Sequence, residues 1–214
     1  DILSGKTIGV IGYGIQGRAQ SLNLRDSGCH VIVGNIDDDY RKTATLDGFM
    51  VSDIDEVVRQ SDVIMLLIPD ESHKTIYEKY IKKNLQKGSL LVFAHGYSLR
   101  YDKIEMPDNI DVGLLAPRFP GEPIRTYYKN GSGVPAFFDV INDYSNETLY
   151  KILALGFAIG YSRAGMIPVS YKEETELDLF IEHFIGPLFI GAIENSLKFL
   201  VDKGYSSVPA IMEL

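Results

Sequence analysis

Through the first 165 residues, short apolar runs alternate with stretches of helical period. Thr7 to Ile11 (TIGVI) is rich in β-branched residues, the composition of a buried strand. A glycine turn at 12–17 follows, and residues 16–27 carry a helical pattern. Gly28 closes that helix at the C′ position, where a left-handed backbone costs glycine nothing. The run HVIV at 30–33 predicts a second strand, 40–47 a helix stopped by Gly48, and 50–51 a very short third strand. Ser52 is placed to cap a helix over 54–60, with Asp53, Asp55 and Glu56 in its first turn. Strands are also predicted at 63–68 (VIMLLI, ended by Pro69), 89–93 (SLLVF), 111–115 and 136–140. Helices are predicted at 72–80 and at 145–155, the latter capped by Ser145. Strands that alternate with helices imply right-handed crossovers and a mostly parallel sheet covered on both faces.

The pattern changes after Arg163-Ala164-Gly165. Residues 172–202 show no strand signal; they read as helix, with a kink or break expected at Gly186-Pro187. Phe180, Phe184, Leu188, Phe189, Ile193, Leu197 and Leu200 occupy nearly every side of it. A helix apolar all round must be enclosed by other helices, and the chain supplies almost none after it. The expectation is a homodimer or higher homo-oligomer with the 176–201 segment at its core. The most apolar stretch, 184–201, is interrupted by Glu194 and Lys198, and its uncharged piece 184–193 is half the length of a bilayer span of about 20 residues. No membrane partner is expected. The division predicted is an α/β domain over 1–166 and the beginning of an all-helical domain over 167–214.

Composition narrows the classes. At 214 residues the chain is one large domain, or one domain plus part of a second. Hydrophobic residues at 45% and charged residues at 23% exclude a disordered tail, a fibre or a coiled-coil rod. The net charge of −8, without a Lys/Arg run, argues against gripping a nucleic-acid backbone. A single cysteine, Cys29, permits no internal disulfide and fits a reducing, cytoplasmic setting. Residues 1–6 lack a basic region followed by an apolar run, so no targeting segment is read. The start at Asp1, without Met, suggests a trimmed or partly ordered terminus.

Gly12-Tyr13-Gly14-Ile15-Gln16-Gly17 is a G-x-G-x-x-G that follows a predicted strand and opens a predicted helix. In that setting Gly12 permits the tight turn, Gly14 lets backbone approach a pyrophosphate, and Gly17 lets helix and strand pack closely. The helix N-terminus then offers N–H groups and a positive dipole end to phosphates. A Rossmann-like doubly wound domain binding a dinucleotide is predicted. Asp37 lies 20 positions after Gly17, where an acid takes the ribose 2′-hydroxyl. Asp38 and Asp39 follow, and three carboxylates oppose a 2′-phosphate although Arg41 and Lys42 lie close behind. On charge, NADH is favoured over NADPH.

Glu174, Asp178 and Glu182 are spaced i, i+4, i+8 on one helix face, an arrangement of oxygen ligands that suits Mg²⁺. Dipole complementation near a helix start explains Glu173 and Glu174. It does not explain Asp178 and Glu182, set among Leu177, Leu179, Phe180 and Ile181.

These motifs together make the sequence resemble the ketol-acid reductoisomerase family. The matching segments are the glycine turn with Asn23-Leu24-Arg25-Asp26-Ser27-Gly28, then Leu67-Ile68-Pro69-Asp70-Glu71 and Phe93-Ala94-His95-Gly96. Gly133-Val134-Pro135-Ala136, Arg163-Ala164-Gly165 and Lys172 through Phe180 with Glu182 complete the set. The resemblance implies Mg²⁺-dependent alkyl migration in a 2-acetohydroxy acid, then reduction by NADPH or NADH, in branched-chain amino-acid biosynthesis. It implies that Gly12, Tyr13, Gly14, Ile15, Gln16, Gly17, Asp37, Pro69, Asp70 and His95 contact the cofactor. His95, Arg118, Asp178 and Glu182 become the catalytic set, and Asp178, Glu182 and Glu213 the metal ligands. Two departures stand out. Typical members carry Ala-Pro-Lys-Gly-Pro-Gly where this chain has Ala116-Pro117-Arg118-Phe119-Pro120-Gly121. The family's further glutamate and its substrate-contacting serine lie beyond Leu214, so the helical domain is read as truncated. The alternative to an active enzyme is a related dinucleotide-binding protein without the full reaction.

Overall fold

The computed structural model describes residues 2–101 and 103–214; Asp1, and with it the expectation about the terminus, lies outside them. Its contacts divide the chain into two compact units, Asp1–Glu174 and Thr175–Leu214. The division falls one turn into the acidic helix rather than at the change of composition near residue 166. The chain after Gly165 first returns to the sheet as a short strand, Met166–Pro168, that the sequence pattern does not predict.

The first unit is built on an eight-stranded sheet in the order β3-β2-β1-β4-β5-β6-β7-β8. The strands are β1 (Thr7–Ile11), β2 (His30–Gly34), β3 (Met50–Ser52) and β4 (Val63–Leu66), then β5 (Leu90–Phe93), β6 (Asp111–Pro117), β7 (Ala136–Asn142) and β8 (Met166–Pro168). Every pairing is parallel except β6 with β7. Side chains alternate between the two faces as the period of two requires. Val63 and Met65 of β4 with Leu90 and Val92 of β5 join one core. Ile64, Leu66, Leu91 and Phe93 join the other. Both faces are therefore dry and helix-covered, as the unbroken apolar runs imply.

The helices are α1 (Ile15–Asp26), α2 (Asp39–Leu46), α3 (Ile54–Gln60), α4 (Asp70–Ile76), α5 (Tyr97–Arg100), α6 (Gly121–Lys129) and α7 (Thr148–Ile159). Three local expectations are corrected. Asp53, not Ser52, is the residue that enters α3; Ser52 ends β3. Ser145 does not cap α7. Its hydroxyl and backbone N–H both bond the Asp111 carboxylate, and Asp143 instead accepts from the Thr148 N–H and hydroxyl. The helix over 72–80 starts earlier, at Asp70, and passes into a π turn at Tyr77–Ile81.

In the second unit, helix α8 (Tyr171–Phe180), a π turn (Ile181–Ile185) and α9 (Gly186–Asp202) run as one helix of 32 residues. The break expected at Gly186-Pro187 is absent. The wider turn just before it draws the ladder to i−5 and removes the clash a proline makes with the carbonyl four residues back. A last helix, α10 (Ser207–Glu213), packs on α9. Among residues 175–214 only Thr175 and Ala210 are buried. By length and composition Tyr171–Asp202 is apolar enough to cross a membrane. Asp178, Glu182, Glu194 and Lys198 weigh against that use, since Asp or Lys at mid-bilayer costs about 2.5–3.5 kcal/mol.

Candidate dinucleotide cleft

A cleft of about 680 Å³ opens at the carboxyl ends of β1, β2, β4 and β5, where strand order reverses about β1. Gly12 turns the chain out of β1 with φ +94°, and its N–H bonds the Gly34 carbonyl at 2.9 Å. A Cβ there would lie 2.6 Å from the Leu67 carbonyl oxygen, and one on Gly17 would lie 2.0 Å from the Gly12 carbonyl oxygen. Both glycines are demanded by the protein's own packing. Gly14 differs: nothing lies within 4 Å of a Cβ built on it. It is the N-cap of α1, no side chain caps that helix, and no acid occupies its first turn. An uncapped positive helix end on an open cleft is a place for an anion.

The other residues of the motif have separate duties. Ile15 is exposed on the rim, and Gln16 bonds the Phe119 carbonyl at 3.0 Å. Tyr13 lines the cleft, but its side chain is anchored elsewhere. Its ring is buried against Phe49, and its hydroxyl donates to Asp47 at 2.9 Å. Burial, reinforced by that carboxylate, raises its phenol well above the ordinary range. Asp47 itself is held below the usual carboxylate value, chiefly by Arg18 at 2.7 Å. The Tyr13 backbone N–H bonds Asn35 Oδ1 at 3.0 Å.

At the end of β2 the cleft is lined by Asn35, Ile36, Asp38 and Tyr40. Asp37, assigned to the ribose by counting, is exposed and outside the lining. Asp38, which lines the cleft, caps α2, accepting from the Arg41 N–H at 3.0 Å and from Asn35 Nδ2 at 2.7 Å. The two cations behind it are engaged. Arg41 donates to the Asn35 carbonyl at 2.8 Å and to Asp53 at 3.0 Å, and Lys42 pairs with Asp39 at 2.8 Å.

The opposite end holds Pro69, Asp70, His73 and His95. Asp70 Oδ2 lies 2.6 Å from His95 Nδ1. His73 is buried, with Nε2 3.0 Å from the Ile68 carbonyl and Nδ1 2.9 Å from Ser98 Oγ. Burial lowers its pKa and keeps it neutral. Beyond the strand ends, Arg118 Nη1 donates to Glu174 Oε1 at 3.1 Å and its guanidinium lies 4.9 Å over the Phe137 ring. The Gly96 N–H donates to Glu174 Oε2 at 2.9 Å. Glu174, 1% exposed, is thus not a solvated dipole partner. It is a fully buried carboxylate tying the His95 loop to Arg118, and sequence spacing alone does not disclose that.

Asp178 is half-buried on α8, Glu182 is exposed on the π turn, and Glu213 is exposed at the end of α10. The π turn alters the one-turn spacing from Asp178 to Glu182. Among the described residues, the ligand atoms of Asp178, Glu182 and Glu213 do not gather closely enough to share one ion.

Residues 2–165 match the family model of the acetohydroxy acid isomeroreductase NADPH-binding domain. The chain belongs to that family. It is 40% identical to the NADP⁺ ketol-acid reductoisomerase of Clostridioides difficile (strain 630), covering 100% of this chain and 65% of that one. It is 45% identical to the Pyrobaculum aerophilum counterpart, covering 99% of this chain and 65% of that one. A solved NADH-preferring ketol-acid reductoisomerase from an uncultured archean superposes with a TM-score of 0.96 at 36% identity, covering all of this chain and 66% of that one. The chain therefore spans about two thirds of the length of these family members. Across that span it carries the family's α/β dinucleotide-binding domain, in a family of NAD(P)H-dependent oxidoreductases.

Proposed function

We propose that the protein is a ketol-acid reductoisomerase that isomerises a 2-acetolactate-type 2-acetohydroxy acid and reduces the product to a 2,3-dihydroxy acid. Such a reaction serves the synthesis of valine, leucine and isoleucine in the cytoplasm. The observation that carries the reading is the glycine-walled cleft: open at Gly14, ended by Asp70 and His95, in a chain of this family. NADH is the favoured reductant, because Asp38 lines the ribose end and Arg41 and Lys42 are paired with carboxylates.

The donor chemistry of the acidic helix fits Mg²⁺, since Asp178 and Glu182 offer hard carboxylate oxygens from neighbouring turns. These two residues would hold the metal; among the described residues Glu213 does not gather with them. A bound ion would supply positive charge for developing oxyanion character during alkyl migration. His95 accepts or donates a proton at the cleft's substrate end. Arg118 supplies positive charge where other family members have lysine, as a fixed guanidinium rather than a tunable ammonium. A homodimer or larger homo-oligomer covers the apolar sides of α9, whose Phe189 is 70% exposed.

The test is oxidation of NADH and of NADPH with 2-acetolactate, with and without Mg²⁺, in the protein and in Asp178→Asn. Metal-dependent turnover abolished by the substitution is expected. Metal-independent turnover, or full activity in Asp178→Asn, would overturn the reading.

A further inference from the structure

Two histidines line the inner end of the cleft, and their surroundings differ in one decisive respect. His73 Nε2 faces a backbone carbonyl, that of Ile68 at 3.0 Å. A carbonyl only accepts, so Nε2 carries the proton, and Nδ1 accepts from the Ser98 hydroxyl at 2.9 Å. His95 is turned the other way. Its Nδ1 faces a carboxylate oxygen of Asp70 at 2.6 Å, a length of a charge-assisted bond. An ionised carboxylate also only accepts, so here Nδ1 carries the proton and Nε2 keeps the lone pair.

The geometry points to Asp70 as a positioning residue for His95, fixing the ring as the Nδ1–H tautomer and leaving Nε2, a buried atom, as the ring's acceptor. Asp70 is itself placed by local structure. It begins α4 directly after Pro69, whose ring presets the backbone leading into the helix. The turn between β4 and α4 is pinned by the bond from His73 to the Ile68 carbonyl, two residues before Asp70. Its second oxygen, Oδ1, stands 3.6 Å from His73 Nε2. Burial keeps His73 neutral, so the proton pattern of that anchor is stable. The His95 ring is braced by Tyr97, stacked at 6.2 Å between centroids. This gives Asp70 a duty different from contacting the dinucleotide. The kinetic arm below rests on the proposed reductoisomerase reading; the spectroscopic arm does not.

The experiment is ¹⁵N–¹H correlation of the histidine rings in the protein at alkaline pH, where both imidazoles are neutral. Signals are assigned by loss in His95→Gln and in His73→Gln. His95 is expected protonated at Nδ1 and His73 at Nε2. Asp70→Ala should move His95 toward the Nε2–H form and leave His73 unchanged, while Asp70→Glu, which keeps the carboxylate, should restore Nδ1–H. In turnover, Asp70→Ala should lower kcat about 10–100-fold, the scale for losing the outer partner of a functional histidine, with the NADH dissociation constant within about twofold of wild type. His95 protonated at Nε2 in the wild type, or unmoved by Asp70→Ala, overturns the proposal. So does a large loss of NADH affinity with kcat intact, which would make Asp70 a cofactor ligand. If the wild type turns over no 2-acetolactate, the reductoisomerase reading fails while the ring spectra still decide the role of Asp70.

Discussion

Gly14 and Gly17 stand three residues apart in one turn, yet their substitution should fail in different ways. A Cβ on Gly17 would sit 2.0 Å from the Gly12 carbonyl oxygen, whereas real Cβ contacts stay beyond 3.0 Å. Gly17→Ala therefore requires α1 and the turn to part by about 1 Å, an overpacking whose usual cost is about 1–3 kcal/mol. For a chain of this size each kcal/mol moves Tm by about 2–4 °C, so a loss of roughly 2–12 °C is expected. Gly14 has φ −70° and no atom within 4 Å of its Cβ position. Gly14→Val should cost the free protein less than about 1 kcal/mol, the scale of a weakened N-cap. Its new atoms occupy the approach of the pyrophosphate to the N–H groups of α1. A loss of at least about 100-fold in dinucleotide affinity is expected, about 2.8 kcal/mol. Thermal melts without ligand and NADH fluorescence titrations of the two variants measure both halves. A Gly14→Val protein that binds NADH like the wild type, or a Gly17→Ala protein that melts with it, would refute the assignment of one glycine to ligand and the other to packing.

Asp38→Asn keeps a good N-cap for α2 but removes the charge at the ribose end. The ratio of NADPH to NADH affinity should rise roughly tenfold, about 1.4 kcal/mol, as read by titration with both cofactors; a wild type that already prefers NADPH tenfold refutes the charge argument. His73 is held below the ordinary value of 6.5 by burial, so the unfolded chain takes up its proton first on acidification. The stability it contributes is complete above about pH 6.5 and is lost as pH falls through the lower folded value; urea midpoints at pH 8 and pH 5 should diverge less in His73→Gln than in the wild type. Phe189→Glu places a charge on an exposed apolar side of α9 and should shift an oligomer toward monomer by light scattering, with the NADH affinity of the first unit unchanged.

The strands were legible because buried parallel strands are short unbroken apolar runs, as VIML and LLVF are here. The glycine turn was legible because its chemistry is local. What escaped the sequence depended on partners far along the chain. Glu174 reads as an ordinary acid at a helix start until Gly96 and Arg118 are brought to its two oxygens. Counting residues led to Asp37, but α2 begins at Asp39, one residue earlier than its pattern suggests, and the N-cap bond engages Asp38. Tyr13 sits in a cofactor motif, yet Asp47 and Phe49 draw its ring into the core. Helix α6, which the sequence pattern does not predict, carries Pro120 at its N-cap and Pro123 in its first turn, where proline is tolerated.

The outer strands of the sheet, β3 and β8, are only three residues long each, and β8 ends in Pro168, which has no N–H to offer a neighbour. A sheet bounded this way gives another chain almost no ladder on which to add a strand. Its two edges are blunted at the level of the backbone, whatever side chains surround them. Strand addition along β3 or β8 is limited to three residues of outer strand, so the helices offer the larger surface for assembly.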